Sequence, residues 1–282
     1  MYQPKVSFIT ATYNSEKTLE QTISSILDQS YKNIEYVIID GGSKDATLNI
    51  IKKYENHIRW ISEKDNGICD AIGKGTLMAT GDYINVIGSD DCLSSPRILE
   101  QVVDELQDSP DLLSCNRYSV YEKTKLQYLD KHRKIYADDE YPFIPFEGAY
   151  ISRSLFKKYP YDRRYAIASD AKFYLQCLCD PTVKIKYSEL VTAFFSLSGS
   201  SSLSHHNEVA KELLRIYNEL GLKPSRQCFP VSDSVKAKFK KALKRKLPGI
   251  RNLYLRLFKP WSYHPLMPHT CENKICRWCG RP

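Results

Sequence analysis

The sequence predicts an α/β protein, a mostly parallel and doubly wound sheet flanked by helices, followed by a basic helical tail. Three observations lead there. Strand-like and helix-like segments alternate through the first 107 residues. The strand-like runs are continuously apolar, as in parallel strands buried on both faces. The charge divides along the chain: residues 234–282 hold 13 Lys/Arg against one acid, Glu272, while the remaining 233 residues hold 28 basic and 32 acidic groups.

Each element follows from its own pattern. Val6 to Thr10 reads as a strand, and Asn14 or Ser15 can cap the helix that follows. Leu19, Ile23, Ile26 and Leu27 give that helix one apolar face at a 3.6-residue period. Residues 35–40 (EYVIID) form a second strand, which Gly41-Gly42-Ser43 ends before a helix bearing Leu48, Ile51 and Tyr54. Ile58 to Ser62 is a strand, Asn66 to Ala79 a helix, and Tyr83 to Ile87 a strand. Ser95-Pro96 opens a helix carrying Leu99, Val102 and Leu106, with Ser as cap and Pro in the first turn. Beyond 110 the pattern loosens: residues 112–121 and 125–136 can pair as a hairpin, and helices start at Ser169-Asp170 and near Asn207. From Ser234, apolar residues recur at helical spacing between lysines (Val235, Phe239, Ala242, Leu243, Leu247). After Pro248-Gly249 a second stripe follows, Ile250, Leu253, Tyr254, Leu257 and Phe258. These predict two short, basic, amphipathic helices. The division expected is an α/β domain over 1–222 and a basic amphipathic tail over 223–282.

Composition narrows the class. With 12 Gly and 14 Pro in 282 residues, collagen-like and low-complexity chains are excluded. No run nears the roughly 20 apolar residues of a membrane-spanning helix, and the N-terminus lacks a secretion-signal pattern, so a cytoplasmic protein is expected. Nine cysteines, six of them scattered among apolar neighbours, fit free buried thiols better than a disulfide framework.

In open α/β sheets ligands bind beyond the carboxyl ends of the strands. Three strands here end in polar clusters: residues 10–14 (TATYN), Asp40-Gly41-Gly42-Ser43 and Gly88-Ser89-Asp90-Asp91. No GxGxxG and no GxxxxGK[ST] is present, which disfavours a dinucleotide fold and a P-loop. Asp90 and Asp91 are adjacent acids that repel unless a cation sits with them. A hard divalent ion, Mg²⁺ or Mn²⁺, would join them to a diphosphate; a solvated turn would use the same residues. Asp40 can accept hydrogen bonds from a ligand or simply form the turn before Gly-Gly. Asp170 can be a general base or a helix N-terminal acid.

Together, residues 10–47 (TATYNSEKTLEQTISSILDQSYKNIEYVIIDGGSKDAT) and 62–91 (SEKDNGICDAIGKGTLMATGDYINVIGSDD) resemble family 2 glycosyltransferases with the GT-A (Rossmann-like) fold. They are similar to enzymes that assemble bacterial surface polysaccharides. The resemblance spans about residues 4–200 and includes EGAYISRSLFKKYPYDRRYAIASDAKFYLQCL on the acceptor side. It implies that Thr10, Thr12 and Tyr13 line a nucleotide pocket and that Asp40 binds the base, usually uracil. Asp65 and the stretch Gly67 to Lys74, with Asp70, would border nucleotide and sugar. Asp90 and Asp91 would form a DXD-type motif, with Asp91 the direct ligand of Mn²⁺ or Mg²⁺, and Asp170 would be the base of an inverting transfer from a nucleotide sugar, UDP-linked. Phe146-Glu147-Gly148 departs from the family's usual His-Gln-Gly, and Gly73 and Cys69 replace its usual Asn and Tyr; these differences bear on donor sugar and acceptor.

The basic tail then suggests peripheral docking through residues 234–259 on the inner face of an anionic membrane, which suits a lipid-linked saccharide acceptor in O-antigen, capsule or exopolysaccharide synthesis. No nucleic-acid partner is expected. His269, Cys271, Cys276 and Cys279 (H-x-C-x₄-C-x₂-C) can supply a Cys₃His set for Zn²⁺, or be three reduced cysteines in a loose end. The competing functions are a sugar-nucleotide nucleotidyltransferase and a non-catalytic nucleic-acid-binding protein with a basic zinc tail.

Overall fold

The structure is a computed structural model that describes residues 2–131, 144–197, 206–223 and 267–279. The alternation holds through the first half: β1 (Val6–Thr12), α1 (Leu19–Leu27), β2 (Ile34–Asp40), α2 (Thr47–Lys53), β3 (Arg59–Ser62), α3 (Ile68–Met78) and β4 (Tyr83–Val86). β1 runs parallel to both β2 and β4, and β2 parallel to β3, in the order β3-β2-β1-β4.

Continuous apolar strands bury both faces because consecutive side chains point oppositely. Val6 and Phe8 of β1 with Tyr36 and Ile38 of β2 face α1, α2 and the later helix α4 (Ile98–Glu105). Ile9, Val37 and Ile39 face α3 and the later helix α6 (Ser169–Cys179). Leu19, Ile23 and Ile26 on α1 have no exposed surface, and each such burial contributes roughly 1.5–3 kcal/mol. The doubly wound reading is therefore correct.

The second half adds β5 (Cys92–Leu93), β6 (Leu112–Tyr121), β7 (Leu126–Asp130), a 3₁₀ turn at Phe146–Gly148, β8 (Ala149–Ser152), α5 (Arg153–Lys158), β9 (Ile185–Ser196), α7 (His206–Glu219) and β10 (Met267–Pro268). β8 joins β4 and β6 antiparallel. β6 also pairs antiparallel with β7 and parallel with β9, and β9 reaches β5. The expected 112–121 hairpin forms, turning at Lys125 with φ +53°; the part of its second arm beyond residue 131 lies outside the described residues, as do the two amphipathic helices expected from Ser234 to Phe258.

Local boundaries differ from expectation where loop groups are engaged elsewhere. Neither Asn14 nor Ser15 caps α1, which starts at Leu19 without a side-chain cap. Asn14 adopts φ +50° and its Oδ1 accepts from Lys44 N, while the Ser15 hydroxyl meets that of Ser89 at 2.9 Å. Pro96 lies in the turn that leads into α4 instead of at its first position: Arg97 is the N-cap, Ile98 N donates to the Ser95 carbonyl, and the Ser95 and Pro96 carbonyls also accept from the Gln29 side chain and Ser30 N. Among the described cysteines all are free; Cys69, Cys92, Cys115 and Cys177 are buried as expected, whereas Cys179 is exposed at the end of α6. No helix among the described residues is long and apolar enough to cross a membrane.

Candidate active site

The carboxyl ends of β1, β2 and β4 meet at one edge of the parallel sheet. Thr12 lies opposite Asp40 in the β1–β2 register, and Gly41 N donates to Thr12 O at 2.9 Å. The three loops are stitched together. Asn14 N donates to the Ser43 hydroxyl at 2.8 Å, and Ser15 links to Ser89. The structure thus gathers Thr12, Tyr13, Asp40, Asp90 and Asp91 as the sequence leads one to expect.

Their environments separate them. Tyr13 is 62% exposed and free to cover a ligand. The Thr12 hydroxyl is buried with no hydrogen-bond partner, a group that a ligand would satisfy. The Thr10 hydroxyl instead turns toward the helix layer and meets the Tyr36 hydroxyl at 3.0 Å. Asp40 is fully buried, and its carboxylate accepts from Gly42 N, from Ser43 N and hydroxyl, and from the Ser62 hydroxyl. Three of these bonds go to Oδ2 and one, from the Ser43 hydroxyl, to Oδ1.

Asp90 and Asp91 converge over Gly88. A side chain at position 88 would lie 2.5 Å from Asp91 Oδ2 and 3.2 Å from Asp90 Oδ1, so only glycine leaves room. Asp91 is 1% exposed; its Oδ1 accepts from Ser196 N at 2.7 Å, and its carbonyl accepts from the Thr22 hydroxyl. Burial raises its carboxyl well above the ordinary range, and the charges of Asp90 and Glu147 add to this. Burial also raises Asp90, against the opposing charge of Arg277. A buried acid and a half-buried one that resist ionisation side by side fit a divalent cation, which removes the repulsion.

The acids at the entrance to α3 and in its first turn are engaged by their neighbours. Gly67 begins α3 with φ +106°, and its N–H donates to Asp65 Oδ1 at 2.9 Å. The Asp65 carboxylate lies so close over Gly41 that a Cβ there would meet it at 2.7 Å. Asp70 is buried and held by Arg163, by Lys74 at 3.3 Å and by Asn66 N; these outweigh burial and keep its carboxyl below the ordinary range. Lys74 also pairs with Glu63 at 2.6 Å. Asp70 and Lys74 thus neutralise each other within α3.

Asp170 stands in the first turn of α6, beside α3. The nearest atom to a Cβ built on Gly67 is Ala166 O, at 3.9 Å, and the Cys69 thiol faces Ser169 and Asp170. Burial pushes the Asp170 carboxyl up to about 6; the Ala171 N–H opposes this, and the charges of Glu147 and Glu212 reinforce it. Glu212 of α7 fixes the preceding loop by accepting from Ala166, Ile167 and Ala168 N–H at 2.8–3.1 Å.

Three contributors escaped sequence reasoning. Glu147 is buried, paired with Arg117, and its charge raises Asp90, Asp91 and Asp170 alike, so it lies among all three. Arg117 also pairs with Asp130 at 3.5 Å and stacks on Phe195. Arg277 donates to the Asp90 carbonyl at 2.8 Å. The available signal for Glu147 was its departure from the family pattern; Arg277 lies within the Cys/His motif, whose spacing does not place it at Asp90, and Arg117 lies in a segment without a motif.

Residues 7–164 match the family model described as Glycosyl transferase family 2. The chain is 46% identical over 105 residues to the putative glycosyltransferase EpsE of Bacillus subtilis (strain 168), covering 36% of this chain and 37% of that protein. That match therefore spans little more than a third of the relative's length. A PGL/p-HBAD biosynthesis glycosyltransferase of Mycobacterium bovis (strain BCG / Pasteur 1173P2) is 28% identical over 225 residues, covering 76% of this chain and 84% of that one. Among solved structures, Staphylococcus aureus TarS 1-349 in complex with UDP superposes with TM-score 0.58 at 17% identity, over 92% of this chain and 73% of that one. The mannosyltransferase PcManGT from Pyrobaculum calidifontis, in complex with GDP-Man and Mn2+, superposes with TM-score 0.60 at 18% identity, over 92% and 72%. At these identities the structural likeness establishes the shared fold.

Proposed function

The chain belongs to glycosyl transferase family 2, and from that premise we propose that it is an inverting, metal-dependent enzyme moving a hexosyl group from a UDP-sugar to a hydroxyl of a lipid-linked saccharide. Surface polysaccharide synthesis is the setting this reading favours. The nucleotidyltransferase and nucleic-acid-binding readings fall with the family assignment. The observation that carries the proposal is the pairing of two kinds of acid across Glu147: a convergent pair at the tip of β4 and a single half-buried carboxyl on α6 raised to about 6.

Asp91 and Asp90 are the residues that would hold Mn²⁺ or Mg²⁺. When bound, that ion supplies charge to the diphosphate leaving group without a proton. Thr12 and Tyr13 receive the nucleotide, and Asp40, with Ser43 and Ser62, takes the base. Asp65 and the start of α3 at Gly67 border the sugar.

Asp170 supplies the other half of the reaction. The acceptor oxygen attacks the anomeric carbon, the bond from that carbon to the diphosphate oxygen breaks, and Asp170 takes the acceptor's proton. A carboxyl raised toward neutrality is a stronger base than a free one and is still ionised at pH 7. One base opposite the leaving group gives inversion. Asp170→Asn should abolish transfer while leaving UDP binding by calorimetry within about twofold, since general base catalysis contributes roughly 10²–10⁴. Full turnover in that variant would remove Asp170 from the role.

Peripheral membrane attachment through residues 234–259 rests on the sequence pattern of that stretch, where each Lys or Arg near an anionic surface contributes about 1 kcal/mol. Flotation with anionic liposomes, with and without residues 234–282, tests it; equal flotation of the two chains would reject it.

A further inference from the structure

The H-x-C-x₄-C-x₂-C segment at residues 269–279 folds back onto the catalytic body, beside the acid pair. One donor atom from each of His269, Cys271, Cys276 and Cys279 lies within 4.8 Å of the others. Cys271 Sγ and Cys279 Sγ are 3.5 Å apart, and Cys276 Sγ and His269 Nε2 3.4 Å. A tetrahedral ion with bonds of about 2.3 Å spaces its ligands by about 3.8 Å, so the set is already near that spacing. The 3.5 Å sulfur separation is too long for a disulfide, whose bond is about 2.05 Å.

The surroundings orient the ligands. His269 Nδ1 meets Gln127 Oε1 at 2.6 Å. With the proton donated there, Nε2 keeps its lone pair and faces Cys276. Metal-bound histidines are usually fixed through the other ring nitrogen in this way. Cys279 N donates to Cys276 Sγ at 3.4 Å, which favours a thiolate at that sulfur. Trp278, 2% exposed, packs edge-on against His269 (5.1 Å between centroids) and Phe194 (6.1 Å).

Phe194 connects this segment to the donor site. It pairs with Cys92, the residue after Asp91, two positions before Ser196, which donates to the Asp91 carboxylate. Asn273 donates to Leu93 O at 2.8 Å, and Lys274 pairs with Asp28 at 2.9 Å. Arg277 lies between two ligands in sequence. Its backbone N–H donates to Gln21 Oε1, its guanidinium stacks over Trp278 at 4.5 Å, and Nη2 reaches the Asp90 carbonyl.

We propose that His269, Cys271, Cys276 and Cys279 bind one Zn²⁺, and that the knuckle so formed holds Arg277 against the Asp90 carbonyl, making nucleotide binding depend on a second metal remote from the transferred sugar. The zinc site stands whether or not the chain transfers sugar; the coupling to the nucleotide rests on the transferase reading. Arg277 acts as a positioning residue that fixes the loop bearing both acids and offsets the charge of Asp90.

The experiment uses the full chain, purified reduced and dialysed against EDTA-free buffer. Metal analysis should find about one zinc per chain, lost in Cys276→Ser/Cys279→Ser. Should that double variant fail to fold, the wild-type protein exchanged with Co²⁺ gives the second reading: intense visible absorption of a tetrahedral thiolate site supports the proposal. Substoichiometric zinc together with a weak octahedral Co²⁺ spectrum, or a Cys271–Cys279 disulfide by mass spectrometry, overturns it. Arg277→Met should keep its zinc yet bind UDP with Mn²⁺ about tenfold more weakly, as expected for loss of a charge-assisted hydrogen bond. Arg277→Lys should recover part of that loss. Unchanged UDP affinity in the zinc-loaded Arg277→Met protein overturns the coupling while leaving both the zinc site and the transferase reading standing.

Discussion

The parallel half of the sheet and the antiparallel half build their parts of the site differently. Within the parallel half a site group can be held by its own strand–turn–helix surroundings: Asp40 follows β2 and is held by Gly42, Ser43 and Ser62, at most 22 residues away. The acids after β4 are instead held by partners that the later half supplies, distant in sequence. Asp91 is gripped by Ser196 across 105 residues, and Asp90 by Arg277 across 187. Glu147 pairs with Arg117 across 30 residues and projects its charge onto both metal-type acids and Asp170. β2 and its turn hold Asp40 locally, whereas the partners of Asp90 and Asp91 and the charge of Glu147 arrive from the later half.

That contrast can be broken most sharply at Asp170, whose Asn variant carries the largest expected loss, described above. Next is Asp91→Asn. Asp91's raised carboxyl pKa means that the metal-free folded state loses stability as pH rises through that pKa, because the folded form binds the extra proton. The neutral amide removes that penalty and keeps an acceptor for Ser196 N. At pH 7.5 the metal-free variant should therefore melt a few degrees above wild type, while Mn²⁺ should raise the melting temperature of wild type alone. A variant that melts lower, or is stabilised by Mn²⁺ equally, would contradict the burial argument.

Gly88→Ala sharpens the local side of the comparison. Its methyl would lie 2.5 Å from Asp91 Oδ2, so Mn²⁺-dependent UDP affinity should fall about tenfold, a strain of about 1–3 kcal/mol. Wild-type affinity would show that the two acids are not set by this close approach. The long-range side is tested by pH. Transfer should decline as pH falls below about 6, where Asp170 takes up its proton. Glu147→Gln removes a charge that raises Asp170, so this acid limb should move to lower pH. A limb that stays put or moves up would show that Glu147 does not act on Asp170. The smallest effect is expected from Arg163→Gln. Arg163 is half-exposed and Asp70 keeps Lys74 and Asn66 N; thermal stability should change by no more than about 1 kcal/mol.

The same contrast explains what could be read beforehand. The order of strands and helices, the two buried faces and the acids at the strand tips were legible, because apolar runs and turn residues write parallel α/β units locally. The capping of α1 was misjudged because Asn14 and Ser15 spend their hydrogen bonds on neighbouring loops of the site. The engagement of Asp40 by two hydroxyls and the mutual pairing of Asp70 with Lys74 depend on side-chain placement that spacing does not encode. Glu147, Arg117 and Arg277 were not legible as site residues, since only the pairing of β6, β8 and β9 and the packing of the knuckle bring them to Asp90 and Asp91.

The central claim is that the acids at the tip of β4 hold the cation needed by the nucleotide diphosphate. Calorimetric titration of UDP into the full chain, with Mn²⁺ and with EDTA, tests it directly when run beside Asp91→Asn. Tight binding that requires Mn²⁺ in wild type and disappears in the variant is the predicted result. UDP affinity that is the same with EDTA, or unchanged by the substitution, would contradict it.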